Sequence, residues 1–193
     1  MLLQTPPKTY TPAEYLELEE TADCRHEYRD GEIVPMTGGS INHNELSGML
    51  HAYLKFALRE SNYRVFTSDL RVWIPDCNLY TYPDVMAIQG EPQLQEGRTD
   101  TVLNPLLVVE VLSKSTRNYD RGDKFVCYRT ISTLQEYVLI DQYAVHVEQY
   151  AKTPDNKWLL TEYDGLDTVL SFAAIPFQIP LSDLYENVQI AQD

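Results

Sequence analysis

The spacing of apolar positions changes along this chain, and each change predicts an element. Thr11-Pro12-Ala13-Glu14 has the form of a helix entry, with a threonine to cap, proline at the first helical position and a glutamate to close a capping box. Tyr15, Leu16 and Leu18 give that short helix its apolar side. His26 to Val34 reads as two short strands about an Asp30-Gly31 turn. Between Asn42 and Glu60, Leu46, Met49, Leu50, Tyr53, Leu54, Ala57 and Leu58 recur every three or four positions, which predicts an amphipathic helix of about five turns. Strands are predicted over 63–68, 70–74 and 83–88, then a polar loop without period over 89–104.

The segment LLVVEVL, 106–112, gives the strongest strand prediction. Its nearly continuous branched apolar run suits a central strand buried on both faces. A helix is expected over 118–131, with Phe125, Tyr128 and Ile131 at helical spacing. Short strands over 136–141, 145–150, 157–163 and 168–170 follow, and a terminal helix started by Ser182. This order predicts one α/β domain over 1–193, core about 11–185, built as a central mixed β-sheet flanked by helices. A chain of 193 residues can bury roughly 70% of its unfolded surface, so the core needs no metal or disulfide.

Charge complicates the picture. Fifteen Lys and Arg against 29 Asp and Glu give a net charge of −14, whereas a protein that grips duplex nucleic acid by neutralising phosphates is usually basic. Cys24, Cys77 and Cys127 lie about fifty residues apart with no C-x-x-C pair, so they predict neither a zinc site nor a closed disulfide framework. They are read as inert thiols in a reducing compartment. The N-terminus lacks a signal-peptide pattern, and no apolar run approaches the roughly eighteen residues of a spanning helix. The expectation is a cytoplasmic protein with no membrane partner.

Glu110 interrupts the apolar run. An isolated buried carboxylate is very costly, so it must be paired, protonated or metal-bound; the plainer alternative is a salt-bridged structural glutamate. Asp84, which follows Pro83 at the start of an apolar strand, supplies a second acid. Two carboxylates from neighbouring strands, with a main-chain carbonyl between them, make an oxygen-rich set suited to Mg²⁺. Such an ion polarises phosphoryl oxygens and lowers the pKa of a bound water. A simple E-x-K arrangement is absent because Leu112 takes the third position. Two lysines compete for its role. Lys114 shares the parity of Glu110 if the strand runs that far. Lys124 lies at i+4 from Asp120 and i−4 from Tyr128, a stripe tilted toward the sheet, although Asp120 and Lys124 also fit a solvated helix pair.

The stretches HEYRDGEIVPM, YPDVMAI, PLLVVEVLSKSTRNYDRGDKFVCYR and EYVLID together resemble the bacterial "putative restriction endonuclease" family of the PD-(D/E)XK nuclease superfamily. The resemblance runs from about Thr11 to Tyr185, and EVLS-x-ST-x(3)-D-x(3)-K-x(3)-Y is its most specific part. It implies a restriction-endonuclease-like core, with Asp84 and Glu110 as metal-binding acids and Lys124 as a catalytic lysine moved from the strand to the next helix. It also implies that Glu27 and His43 lie close to the site. Lys114 stands where the family usually has proline, which keeps it a rival to Lys124. From the residues alone, Glu27 reads as a strand-face glutamate and His43 as a cap or surface imidazole.

The leading functional expectation is an endonuclease that hydrolyses DNA phosphodiester bonds. Asp84, Glu110 and the Val111 carbonyl would hold Mg²⁺ or Mn²⁺, and Arg64, Arg71, Arg117, Arg121 and Arg129 would form a local basic rim. The alternative is a catalytically inactive, nuclease-like binding or regulatory module. A hydrolase of a small phosphorylated molecule ranks third, because the chain has no Gly-rich phosphate loop. Cutting both strands of a duplex would suit a homodimer.

Overall fold

Alternation along one strand sorts this molecule into layers, as seen in a computed structural model that describes residues 8–36 and 38–190. The first seven residues, part of the segment in which no leader was read, lie outside the described residues. The chain begins with α1 (Pro12–Glu19), the hairpin β1 (His26–Arg29) and β2 (Glu32–Pro35), and α2 (Ile41–Ala57). There follow β3 (Tyr63–Thr67), β4 (Arg71–Ile74), β5 (Leu79–Thr81), β6 (Val85–Gln89), β7 (Thr101–Val102) and β8 (Leu107–Leu112). Two short helices, α3 (Arg117–Arg121) and α4 (Asp123–Tyr128), lead to β9 (Glu136–Asp141), β10 (His146–Lys152) and β11 (Trp158–Asp164). The hairpin β12 (Val169–Ser171) and β13 (Gln178–Pro180) and the helix α5 (Leu181–Leu184) end the fold.

A six-stranded sheet runs β11-β10-β9-β8-β6-β3 and is antiparallel except where β8 and β9 lie parallel. A second sheet runs β2-β1-β5-β4-β7. Within β8, all six residues are buried. Val109 and Val111 face Leu46, Leu50 and Leu54, a one-stripe ladder along α2, together with Leu181 and Leu184 of α5. Val108 and Leu112 point the other way, toward Phe125 and Tyr128 of α4 and Val72 and Ile74 of the second sheet. The expected central mixed sheet flanked by helices is therefore present, and Glu110 shares the α4 face.

Local signals behave as their chemistry requires. Thr11 and Glu14 form the capping box of α1. Asp30 (φ 43°) and Gly31 (φ 100°) both take the left-handed conformation that a tight two-residue hairpin turn demands.

Several expectations are corrected. The helix over 118–131 is two helices, broken at Gly122 (ψ −104°), where an added Cβ would lie 3.0 Å from the Asn118 carbonyl. The α2 stripe is narrower than its periodicity suggested, since Tyr53 is exposed. The loop over 89–104 holds β7 and a Leu94–Val102 bridge. β5 and β13 were not foreseen, being only three residues each. The last helix begins at Leu181 after Pro180, so Ser182 lies inside it and does not cap it. Cys77 and Cys127 form a disulfide, which overturns the reading of inert thiols, while Cys24 is free and exposed. Packing of α4 over the β4 side of the sheet brings that pair together across 50 residues of chain. Among the described residues, no helix is long and apolar enough to cross a membrane.

Candidate active site

The antiparallel register Val85↔Val109, carried one step further, sets Asp84 beside Glu110 at the end of the β6–β8 pair. Asp84 Oδ2 accepts a hydrogen bond from the Val111 amide at 2.7 Å and lies 3.1 Å from His43 Nε2. Ser40 caps α2 by accepting from the His43 amide, which fixes where that side chain leaves the helix. A Cβ on Gly39 would come within 2.7 Å of His43 Nδ1, so the bare glycine backbone is what lets the ring lie there. His43 is thus a partner of Asp84 and not a mere cap or surface imidazole.

Lys124 is buried, with Nζ 2.9 Å from Glu110 Oε1, 3.1 Å from Glu27 Oε1 and 3.6 Å from Asp120 Oδ1. The Asp120–Lys124 pair is therefore a buried contact, contrary to the solvated-pair alternative. Tyr128, one helical turn after Lys124, donates its hydroxyl to Glu110 Oε1 at 2.9 Å. Glu27 reaches in from the hairpin, accepting from Thr81 Oγ1 at 2.5 Å and from Arg29 Nε at 2.9 Å; it is no ordinary strand-face glutamate. Lys114 does not join this group. β8 stops at Leu112, the parity argument lapses, and Lys114 falls on an exposed turn with Nζ 5.4 Å from the Tyr143 ring centroid.

The electrostatics follow from burying three carboxylates, those of Glu27, Glu110 and Asp120, around one ammonium, with Asp84 close by. Burial, reinforced by the nearby charges of Asp84 and Asp120, pushes Glu110 upward against the pull of Lys124. Burial also raises Asp120. Glu27 goes the other way: burial would raise it, but the charges of Lys124 and Arg29 and the bonds from Thr81 and Arg29 hold it at about 2. Burial alone would lower His43, yet its bond to Asp84 and the charges of Asp84 and Asp120 keep it above its ordinary value.

These groups line a cleft of about 780 Å³ with walls from the β1–β2 hairpin, the start of α2 and the turn after β8. The expected arginine rim is not there. Arg71 is buried and bonded to Asp100 and Thr101, Arg64 pairs with Glu91, Arg121 pairs with Glu148, and Arg129 lies over Phe125. Arg117 is exposed but does not line the cleft, whose cations are Arg25, Arg29, Lys114 and Lys124. A second cavity of about 400 Å³, lined by Glu19, Arg71, Arg98 and Asp100, contains none of the predicted catalytic, metal-binding or accessory residues and, of the expected rim, Arg71 alone. Sequence reasoning missed Thr81 and the hydroxyl of Tyr128. The i+4 spacing of Tyr128 from Lys124 was the available signal; Thr81 left none.

The donor set suits a hard divalent cation. Among the described residues, Asp84 Oδ1 and Glu110 Oε2 accept no protein hydrogen bond, although the other oxygen of each carboxylate does. No three His, Cys, Asp or Glu side chains of the described residues form a ready metal cluster. The two-carboxylate set is smaller than that and leaves positions for a carbonyl, water and substrate oxygens, the coordination Mg²⁺ favours.

Comparison with known proteins gives a consistent picture. Residues 12–182 match the Uma2 family, described as "Putative restriction endonuclease". The uncharacterised protein sll1609 of Synechocystis sp. is 43% identical over 173 residues, covering 90% of this chain and 98% of the relative. A second Synechocystis protein, slr1290, is 38% identical over 169 residues, covering 84% and 88%. In structure, the chain resembles "a putative nuclease belonging to DUF820" from Anabaena variabilis, with a TM-score of 0.74 and 18% identity over 92% of this chain and 98% of that one. That likeness concerns the fold.

Proposed function

The chain belongs to the Uma2 family, and from that premise we propose that it is a divalent-metal-dependent nuclease that hydrolyses DNA phosphodiester bonds. The observation that carries this reading is the placement of Asp84 beside Glu110, with the Lys124 ammonium 2.9 Å from Glu110 at the head of an open cleft. Asp84, Glu110 and the Val111 carbonyl would hold Mg²⁺ or Mn²⁺. When bound, the ion would polarise a phosphoryl oxygen and favour ionisation of a water.

The protein's own residues divide the remaining work. Lys124, ringed by three carboxylates, stays charged, and orients the attacking water while stabilising negative charge that develops on the phosphate. Tyr128 and Glu27 fix that ammonium and its glutamate from either side, which keeps them in reacting geometry without motion. His43 and the Val111 amide hold one oxygen of Asp84 and leave the other without a protein partner among the described residues.

The test is a titration of Mg²⁺ and Mn²⁺ into wild type, Glu110→Ala and Lys124→Met, following melting temperature and then cleavage of mixed DNA substrates. Metal should raise the wild-type transition, by about 2.7 kcal/mol at a hundredfold excess over Kd, and the protein should cut. Glu110→Ala should do neither. Lys124→Met should respond to metal yet fail to cut. A wild type that ignores metal and leaves DNA intact would make the chain a nuclease-like binding module.

A further inference from the structure

Lys114 is the cation that the candidate site leaves unused. Of the four cations lining the cleft, Arg25 pairs with Asp69, Arg29 with Glu27, and Lys124 with Glu27, Glu110 and Asp120. Among the described residues, Lys114 has no carboxylate partner; its ammonium rests over the ring of Tyr143, itself 42% exposed.

This pair is built into the fold. β8 and β9 run parallel with Leu112 opposite Asp141, so the segments that follow leave the sheet side by side at its carboxyl end. Gln142, fully buried, locks them together: its Nε2 donates to the Leu112 carbonyl at 2.7 Å, and its Oε1 accepts from Ser40 Oγ. The Tyr143 amide donates to Asp141 Oδ1 at 2.7 Å, which fixes the bend that presents the ring. On the other side, Ser113 Oγ lies 3.1 Å from Ser115 Oγ and 2.9 Å from Thr116 Oγ1, adding hydroxyls beside the lysine.

We propose that Lys114 and Tyr143 form a nucleotide platform at the mouth of the site, stacking an unpaired base on Tyr143 and holding its phosphate on Lys114, so that the substrate is single-stranded DNA. This rests on the nuclease reading of the same cleft. Stacking on a protein aromatic needs a free base face, which a duplex keeps covered with its neighbouring base pairs. Lys114 has a flexible four-carbon stem, so its ammonium can leave the ring for a phosphate when a base takes that face. A chain of net charge −14 with one unpaired lysine or arginine among the described residues of its cleft is poorly equipped to neutralise the phosphates of a duplex. It is well equipped to hold one nucleotide.

The experiment measures binding without cleavage. Fluorescence anisotropy in a metal chelator would follow one labelled oligonucleotide, as a single strand and as a duplex, with wild type, Lys114→Ala, Tyr143→Ala and Tyr143→Phe. The single strand should bind about tenfold or more tightly than the duplex. Tyr143→Ala should weaken single-strand binding by about 5- to 100-fold, within the range of one base–aromatic stack, and Tyr143→Phe should restore it. Lys114→Ala should make the slope of log K against log salt shallower by about 0.7, one single-strand phosphate contact. Equal affinity for duplex and single strand, or wild-type binding by both alanine variants, overturns the platform. Binding of this kind by a protein that never cuts would sink the catalytic reading alone, whereas efficient cutting with a duplex preference would sink the platform alone.

Discussion

Glu27 shows what burial among opposite charges does to one side chain. Held at about 2 by Lys124 and Arg29, it keeps its proton off far below the ordinary glutamate value of 4.5. A carboxylate depressed in the folded state contributes stability that is fully present above its unfolded value and is lost as pH falls through the folded one. The melting temperature of wild type should therefore exceed that of Glu27→Gln at pH 7, and the gap should close between about pH 4.5 and pH 2. A gap that stays constant over that interval would show that Glu27 contributes packing and no charge. The legibility of the site divides along the same line. Asp84 and Glu110 stand out in sequence because each is an acid set in an apolar run, and Lys124 because helix spacing ties it to Asp120 and Tyr128. Glu27 was reachable only through family resemblance, since its partner Thr81 lies 54 residues away and nothing local marks the contact. Gln142 was invisible for the same reason: a glutamine just past a strand gives no hint that it bonds to Leu112 across 30 residues.

Among elements, periodicity was informative where one face alone decides the structure and misleading where the backbone interrupts it. The Leu46, Leu50 and Leu54 stripe of α2 and the apolar run of β8 needed only the nearest layer, and both elements lie where the pattern placed them. The 118–131 helix kept its apolar period across Gly122, but the chain turns there, and that turn divides the segment carrying Asp120 from the one carrying Lys124 and Tyr128. The Cys77–Cys127 link acts on this same element, tying α4 to the turn that ends β4. Closing a loop of that length restricts the unfolded chain by about 2–4 kcal/mol. Paired Cys77→Ser and Cys127→Ser substitutions, or a reductant, should lower the melting temperature accordingly, and the double variant should no longer respond to reductant. If the wild-type transition ignores reductant while free-thiol titration finds all three cysteines, the link is absent in solution and α4 is held by the packing of Phe125 and Tyr128 and the ion pairs of Lys124.

At the scale of the whole molecule, the charge of −14 sets the approach of any polyanion before local contacts act. A basic nuclease is steered to DNA, and its association slows as salt screens the attraction. Here the long-range force is repulsive, while the attractive groups, Lys114 and, on the proposed function, a metal ion at Asp84 and Glu110, would act only within the cleft. The Debye length falls from about 30 Å at 0.01 M salt to about 8 Å at 0.15 M, so added salt removes the distant repulsion first. The association rate with a single-stranded oligonucleotide, followed by stopped-flow fluorescence, should therefore rise over that interval. The dissociation rate should rise as well, because salt competes at the phosphate contact itself. An association rate that falls from the lowest salt onward would mean that the potential at the cleft mouth is positive in spite of the molecule's net charge. Arg25 and Arg29 would then have to be less fully neutralised by Asp69 and Glu27 than their ion pairs indicate.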